Sequence, residues 1–227
     1  MIGNHLMYSK KAGKVMKDYA AAHCGPEAGQ ALLEKTREIY LSFLPSLPEL
    51  GGKKNYQAQS VYDCIGLFAL YEAADPKPTL EEFEDLVNKN FVPGFKLPFF
   101  YNMNWPPIQR LAHGIFSRIS RKSQKYRQQW PGNYHMEVDP YDPKIGIRYR
   151  FTTCPIADFA HAHGYTHLMS AMCNPDYPTL KAMHAGLIRT KTCGRDDCCD
   201  YWIVGDRDPQ LDEHPVYKDP HGYLKNK

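Results

Sequence analysis

Two cysteines in the last third of the chain each stand close to a proline that could open a helix. Cys154 directly precedes Pro155 in TTCPIADF, and Cys173 precedes the Asn-Pro pair of MCNPDY. The first turn of a helix offers unpaired N–H groups and a partial positive charge, which make a nearby thiol more acidic and more nucleophilic. We therefore predict that Cys154 takes an N-cap position and that Cys173 lies just outside a cap formed by Asn174. The alternative is that each cysteine is a small buried residue between a helix and a sheet.

The first half of the chain carries the signals of successive helices. One helix is predicted in GQALLEKTREIYLSFL and stops at LPSLPELGG, where prolines and glycines forbid continuation. The next runs from about Gln57 to Ala74, and another opens with a capping box formed by Thr79 and Glu82. A fourth, PPIQRLAHGIFSRISRKSQKYRQ, has the clearest apolar stripe in the protein. Residues 1–129 are therefore predicted to be a helical region.

After Pro131 the apolar period changes from that of a helix to that of a strand. Two alternating runs, Tyr134–Val138 and Ile145–Phe151, predict a β-hairpin. Two short helices follow, each opening at one of the two thiols, and AGLIRTKT and CCDYWIVG predict two more strands. The fold class is therefore α+β: a helical N-terminal half packs on an antiparallel sheet of about four strands with two short helices inserted. Residues 130–205 form this second region, and 206–227 are expected to be an irregular tail on the same compact unit.

Charge, hydropathy and cysteine count exclude several classes of protein. A net charge of +3 over 227 residues is too small to indicate a nucleic-acid partner. The N-terminal stretch has no apolar core of a secretory signal, and the longest apolar run, CIGLFALY, is far too short to span a bilayer. The seven cysteines are odd in number and irregular in spacing, which is typical of reduced thiols. We therefore expect a cytoplasmic protein with no membrane partner and no nucleic-acid partner.

Two further patterns favour no special function. Six cations crowd the fourth predicted helix: Arg110, Arg118, Arg121, Lys122, Lys125 and Arg127. A contact with phosphates or a membrane surface is one interpretation, but the solvated face of an amphipathic helix is favoured. Cys193, Cys198 and Cys199 do not have the paired spacing of a structural zinc site, and no H-E-x-x-H motif is present. No metal and no cofactor are expected.

Four motifs occur in order in the last third of the chain: CPIADFAHAHG, MCNPDY, IRTKT and CCDYWI. Together they resemble the L-2-amino-thiazoline-4-carboxylic acid hydrolase family, whose members look like Cys-Pro opening a helix, a closing Gly, Cys-x-x-Asp-Tyr, an Arg-Thr strand and a last Cys-Asp-aromatic strand. The matching residues here are Cys154, Pro155, Gly164, Cys173, Asp176, Tyr177, Arg189, Thr190, Thr192, Cys199 and Asp200. The resemblance covers roughly residues 130–205. The turn TCGRDDCCD departs from the glycine-rich turn that the family usually carries there.

The resemblance implies a hydrolase of non-peptide carbon–nitrogen bonds. Its substrate would be a five-membered cyclic isothiourea with a carboxylate, such as 2-amino-thiazoline-4-carboxylate, opened at the C–N or the C–S bond. Cys173 is favoured as nucleophile because Asp176 follows it closely. Cys154, or water activated by Asp176, is the alternative, and His163 is the candidate acid or base. The expected substrate-binding residues are Arg189, for the carboxylate, with Thr190, Thr192, Tyr177, Asp200 and Cys199.

Each of these assignments has a simpler structural alternative. His163 could interact with a helix C-terminus, Asp176 could be an ordinary first-turn acid, and Asp200 could pair with Arg189 for stability alone. The same layout also resembles small ligand-binding domains of the vinyl-reductase type, which need not be enzymes. A small-molecule carboxylate is the expected partner, and a homodimer is left open.

Overall fold

The computed structural model describes residues 7–92 and 102–227. The first six residues of the N-terminal stretch, for which no signal peptide is predicted, lie outside the described residues. The helices are α1 (Lys10–Cys24), α2 (Pro26–Phe43), α3 (Ala58–Ala73), α4 (Leu80–Phe91), α5 (Pro106–Gln129), α6 (Pro155–Ala162), α7 (Met169–Cys173), α8 (Asp176–Lys181) and α9 (Gln210–Glu213). The strands are β1 (His135–Val138), β2 (Ile147–Thr153), β3 (Ala185–Ile188), β4 (Cys199–Gly205), β5 (Val216–Lys218) and β6 (Leu224–Asn226).

Helices α1 to α4 form a bundle around α3, which is buried on nearly all sides. The predicted capping box at the start of α4 is present, with the Thr79 side chain accepting from the Glu82 N–H and Glu82 accepting from the Thr79 N–H. Helix α1 was not predicted. Its first turn is instead fixed by Ser9, whose side chain accepts from the Ala12 N–H and donates to Asp63 of α3. A cap that depends on a residue so far along the chain is not visible in the local sequence.

The predicted α+β class is confirmed by a four-stranded sheet in the order β1-β2-β4-β3, with every neighbouring pair antiparallel. Register places Tyr149 opposite Tyr201 and Phe151 opposite Cys199 on one face, which we call the inner face. Arg150 opposite Asp200 belongs to the other, outer face. Alternation along β2 and β4 thus sends successive side chains to opposite sides of the sheet.

Two apolar cores meet at the inner face. One joins the bundle to α6 and α7, and the other packs the sheet against α5 and α8. The sheet therefore carries helical layers from both halves of the chain, and the junction between the layers is where a cavity can form. None of the helices in residues 7–92 and 102–227 is both long enough and apolar enough to cross a membrane.

Two local predictions are wrong. Cys173 does not precede a helix: it is the last residue of α7, and α8 begins only at Asp176. The reason is that Asn174 is the C-cap of α7, with its N–H donating to the Ser170 carbonyl, and does not cap α8. Its side chain donates to the Gly222 carbonyl and accepts from the Leu224 N–H, which ties it to the C-terminal segment. The region between β2 and β3 consequently holds three short helices instead of two.

The segment 206–227 is not irregular. It contains α9 and a hairpin of β5 and β6, and its Tyr223 and Asn226 are buried. The Asn226 side chain accepts from the Arg189 N–H and from the Tyr177 hydroxyl. Long-range bonds of this kind, which have no periodic signature in the sequence, hold the segment on the body of the protein.

Candidate active site

A cavity of about 400 Å³ opens where the inner face of the sheet meets the starts of α3 and α6 and the helices α7 and α8. This volume is typical of sites for small molecules. Its wall is largely aromatic, thiol and thioether, with a single carboxylate among the described residues. The lining residues are Tyr56, Gln57, Ser60, Tyr134, Phe151, Cys154, Ile156, Met169, Met172, Cys173, Asp176, Cys199 and Tyr201.

Cys154 is the N-cap of α6, with Pro155 in the first helical position, as the sequence predicts. The N–H groups of Ile156 and Ala157 lower the pKa of its thiol, as a helix start should. Loss of hydration is the larger effect and raises that pKa to about 12. The expected partial thiolate is therefore not found at this helix start.

Cys173 reaches the same cavity from the end of α7. Loss of hydration, reinforced by the nearby sulfur of Cys199, raises the pKa of this thiol well above its usual value. The positive charge of Arg189 opposes the rise but does not cancel it. Cys173 is thus a neutral thiol beside the cavity.

Cys199, at the start of β4, is the thiol whose environment favours the ionised form. The backbone N–H of Cys193 donates to its sulfur at 3.0 Å, while the Cys193 thiol donates to the Phe151 carbonyl at 3.5 Å. The interaction with the Cys193 side chain, this N–H bond and the charge of Arg189 outweigh burial and lower the pKa of Cys199 below its usual value. The interaction between the two thiols raises the pKa of Cys193, which therefore remains protonated. The turn between β3 and β4 thus makes Cys199 the most readily ionised of the three thiols in the cavity wall.

Asp176, in the first turn of α8, has one carboxylate oxygen, Oδ2, held by hydrogen bonds. Its Oδ2 accepts from Arg189 Nη1 and from the Tyr201 hydroxyl, each at 2.7 Å. Among the described residues no donor reaches its Oδ1, and the side chain is 39% exposed, so this oxygen is available to a molecule in the cavity. The Tyr201 ring stacks on Tyr149 at 4.6 Å, which holds its hydroxyl in place. Burial raises the pKa of Tyr201 well above its usual value, so it remains a donor.

Arg189 lies behind Asp176 and does not line the cavity. Its side chain is 0% exposed, and besides Asp176 it donates to the carbonyls of Cys173 at 3.1 Å and Leu224 at 3.3 Å. A guanidinium held in this way joins α7, α8 and the C-terminal segment. In this arrangement it cannot reach a carboxylate in the cavity, so the placement does not support its expected role in substrate binding.

Of the other predicted substrate-binding residues, Cys199 lines the cavity, whereas Tyr177, Thr190, Thr192 and Asp200 do not. The Tyr177 ring packs 5.1 Å from the Arg189 guanidinium. Thr190 donates to Asp200 through its N–H and its hydroxyl on the outer face. Thr192 is buried, and its N–H donates to Asp196. The structure thus brings together four of the predicted residues in the cavity wall, namely Cys154, Cys173, Asp176 and Cys199.

His163 is also outside the cavity. It ends α6, stacks on Phe159 at 4.1 Å, and its Nε2 lies 2.9 Å from the Ser46 hydroxyl. The residue therefore lies at the C-terminus of α6, as in the structural alternative given for it, and its ring contacts the helical bundle. The placement does not support its assignment as the acid or base.

Sequence reasoning missed the roles of Cys193, Tyr201, Tyr134 and Ser60. Tyr134 and Ser60 line the cavity with their hydroxyl oxygens 3.4 Å apart. Tyr201 could have been found from strand alternation, because it follows Cys199 by two positions and must share its face. Cys193 has no such signal, since its contact with Cys199 depends on the shape of an irregular turn. In the part of the chain that the structure describes, no group of three metal-ligating side chains is present.

The family model described as L-2-amino-thiazoline-4-carboxylic acid hydrolase matches residues 67–203. This range extends from the middle of α3 to β4, so it is wider than the resemblance in the sequence motifs and includes α4 and α5. No curated protein and no solved structure gives a match. The match covers more than half of the chain and includes Cys154, Cys173, Asp176 and Cys199. The chain therefore belongs to the L-2-amino-thiazoline-4-carboxylic acid hydrolase family.

Proposed function

We propose that this protein is a hydrolase that opens the ring of a small cyclic amidine-like carboxylate such as 2-amino-thiazoline-4-carboxylate. The family supplies the reaction class. The observation that carries the proposal is the pairing of one activated thiol, Cys199, with one accessible carboxylate oxygen, Asp176 Oδ1, in the wall of the same cavity. A nucleophile and a proton acceptor are the two groups that this hydrolysis requires.

In the first step, the Cys199 thiolate attacks the ring carbon that lies between the sulfur and the nitrogen atoms. A C–S bond to the enzyme forms, and the C=N π electrons move to nitrogen. The adduct then collapses with cleavage of the ring C–S or C–N bond, and the departing atom takes up the proton that the amidinium form of the substrate carried. The enzyme is left bound through sulfur to an amidine-like carbon, and the ring is open.

In the second step, a water molecule attacks that carbon and transfers a proton to Asp176 Oδ1. The bond between carbon and the Cys199 sulfur breaks, which returns the thiolate, and the product leaves as a carbamoyl derivative of the opened ring. The overall reaction of the two steps consumes one water molecule and needs no oxidant or other co-reactant. Arg189 and Tyr201 do not contact the substrate in this scheme. They hold Asp176 so that its free oxygen faces the water.

The roles of the other thiols differ from the first expectation. We assign the nucleophile to Cys199 in place of Cys173, because the Cys193 N–H donates to its sulfur and the surroundings lower the pKa of Cys199 while they raise that of Cys173. A second thiolate in the same cavity would be opposed by the charge of the first, which raises the pKa of both Cys154 and Cys173. Cys154 and Cys173 then serve as neutral parts of the wall.

Purified protein incubated with 2-amino-thiazoline-4-carboxylate tests the proposal. Ring opening is followed by loss of the thiazoline ultraviolet absorption and by nuclear magnetic resonance of the product. Rapid acid quench and mass spectrometry of peptides should find the substrate mass on Cys199. Binding without ring opening would instead support the binding-domain alternative. A product without an adduct on any cysteine would indicate direct attack by water.

A further inference from the structure

The described wall of the cavity contains a negatively charged side chain and no positively charged one. Asp176 is the single carboxylate, no donor of residues 7–92 and 102–227 reaches its Oδ1, and no lysine, arginine or histidine of these residues is among the lining side chains. Arg189 binds Oδ2 of Asp176 and two carbonyls behind the wall, so its donors do not face the cavity. The inner part of the cavity therefore suits the cationic amidinium end of a substrate and repels a carboxylate.

The mouth of the cavity has the opposite charge. Tyr56 lines the cavity and is 51% exposed, so it marks the side that is open to solvent. Lys122 of α5 places its Nζ 5.4 Å from the centroid of the Tyr56 ring. Tyr126, one turn further along α5, packs its ring 6.4 Å from the same ring. Helix α5 and the cavity mouth are therefore in contact at Tyr56.

Lys122 is free to bind an anion. No aspartate or glutamate occurs in the sequence of α5, and among the described residues no carboxylate forms an ion pair with Lys122. The contact with Tyr56 is a cation–π interaction, which still leaves N–H donors of the ammonium group for a second partner. The side chain has a flexible four-carbon stem, so the ammonium can follow a ligand at the mouth.

We propose that Lys122 receives the substrate carboxylate at the cavity mouth and so selects zwitterionic cyclic amidines. This inference rests on the proposed function. The amidinium end points inward to Asp176 and Cys199, and the carboxylate end points outward to Lys122. The electric field of the cavity, negative inside and positive at Tyr56, orients the ring so that its amidine carbon lies next to the sulfur of Cys199. Lys122 thereby takes the role that the sequence gave to Arg189.

The experiment compares two substrates that differ by the carboxylate, 2-amino-thiazoline-4-carboxylate and 2-amino-thiazoline, in the full-length protein. Lys122→Ala should raise KM for the carboxylate by about fivefold, as expected for an exposed ion pair, with little change in kcat. The KM for 2-amino-thiazoline should stay the same or fall. Lys122→Arg should restore the KM for the carboxylate. Lys125→Ala is the matched control, because Lys125 is exposed on the same helix and should leave both KM values unchanged.

The outcomes separate the two proposals. If wild-type protein opens neither compound, the proposed function fails and this assignment fails with it. If wild type opens the carboxylate and Lys122→Ala changes both KM values equally or neither, the proposed function stands and the assignment to Lys122 is overturned. A KM effect confined to the carboxylate supports it.

Discussion

The start of α6 and the start of β4 each present a thiol to the same cavity, yet they favour opposite protonation states. Cys154 is an N-cap that receives help from two N–H groups of its helix, and its pKa still rises to about 12. Cys199 is not at a helix start, but it accepts the N–H of Cys193, lies beside the Cys193 thiol and is close to the charge of Arg189, and its pKa falls. A helix terminus is thus insufficient to ionise a thiol when desolvation is large. The groups nearest to the sulfur decide which thiol ionises first.

The largest effect expected from this comparison is on turnover. Cys199→Ala should lower kcat/KM for ring opening by at least about a thousandfold, because it removes the nucleophile. Cys154→Ala should keep activity within about tenfold of wild type, since a neutral wall thiol contributes only packing. Circular dichroism and thermal unfolding of both variants control for folding. The reverse order of effects would return the nucleophile to a helix start.

Alkylation by iodoacetamide, resolved by peptide mass spectrometry, tests the protonation states directly. A lowered pKa means that the thiolate of Cys199 is formed at a lower pH, so the inflection of its alkylation rate should lie below the usual thiol pKa of about 8.5. The rate at Cys154, with a pKa of about 12, should keep rising throughout the pH range in which the protein stays folded.

The exposed Cys24 is alkylated in the same digest and provides an internal reference for the reagent. The position of each inflection on the pH axis does not depend on how easily the reagent reaches the sulfur, so partial burial of Cys199 does not confuse the result. Parallel profiles for Cys199 and Cys154 would remove the difference on which the assignment of the nucleophile depends.

Local patterns predicted the fold well because its elements carry regular signals. The capping box of Thr79 and Glu82, the stripe of α5 and the alternation of β2 and β4 each depend on residues a few positions apart. Helix α1 and the hairpin β5-β6 were missed because Asp63 and Asn226 hold them through long-range hydrogen bonds. The alternation of a strand can be recognised from residues next to each other in the sequence. The partner of a buried polar group, in contrast, lies far away in the sequence in both of these cases.

The residues of the candidate site likewise divide into those that local patterns predict and those that they do not. Cys154 at an N-cap was predictable from the following proline. The position of Cys173 was not, because the Asn174 side chain bonds to the C-terminal segment and does not cap α8. Arg189 matched the family motif, but its burial behind Asp176 depends on three elements meeting in space. The chemical state of Cys199 likewise follows from the turn that brings Cys193 to it.

A smaller effect on turnover should follow from removing the side chain of Cys193 while the nucleophile, Cys199, is kept. Cys193→Ala removes the neighbouring thiol, which is the largest influence that lowers the pKa of Cys199, but keeps the backbone N–H bond. The inflection for Cys199 should move up by about one pH unit, which corresponds to about 1.4 kcal/mol. Turnover near neutral pH should fall by up to about tenfold and recover at higher pH. Cys198→Ala, in the same turn, is the control and should leave the inflection in place.

The smallest effect on activity is expected from Asp200, the residue next to Cys199 on the opposite face of β4. Its carboxylate accepts from the Thr190 N–H at 2.9 Å, the Thr190 hydroxyl at 2.7 Å and the Lys191 N–H at 2.6 Å. Asp200→Asn keeps one acceptor oxygen and loses part of this set, so the free energy of unfolding should fall by about 1 kcal/mol. Denaturant unfolding measures that loss, and kcat/KM should stay within about twofold because the side chain does not face the cavity. A much larger loss of turnover would mean that the outer face of β4 takes part in the reaction, and the contrast between a reactive inner face and a structural outer face would no longer hold.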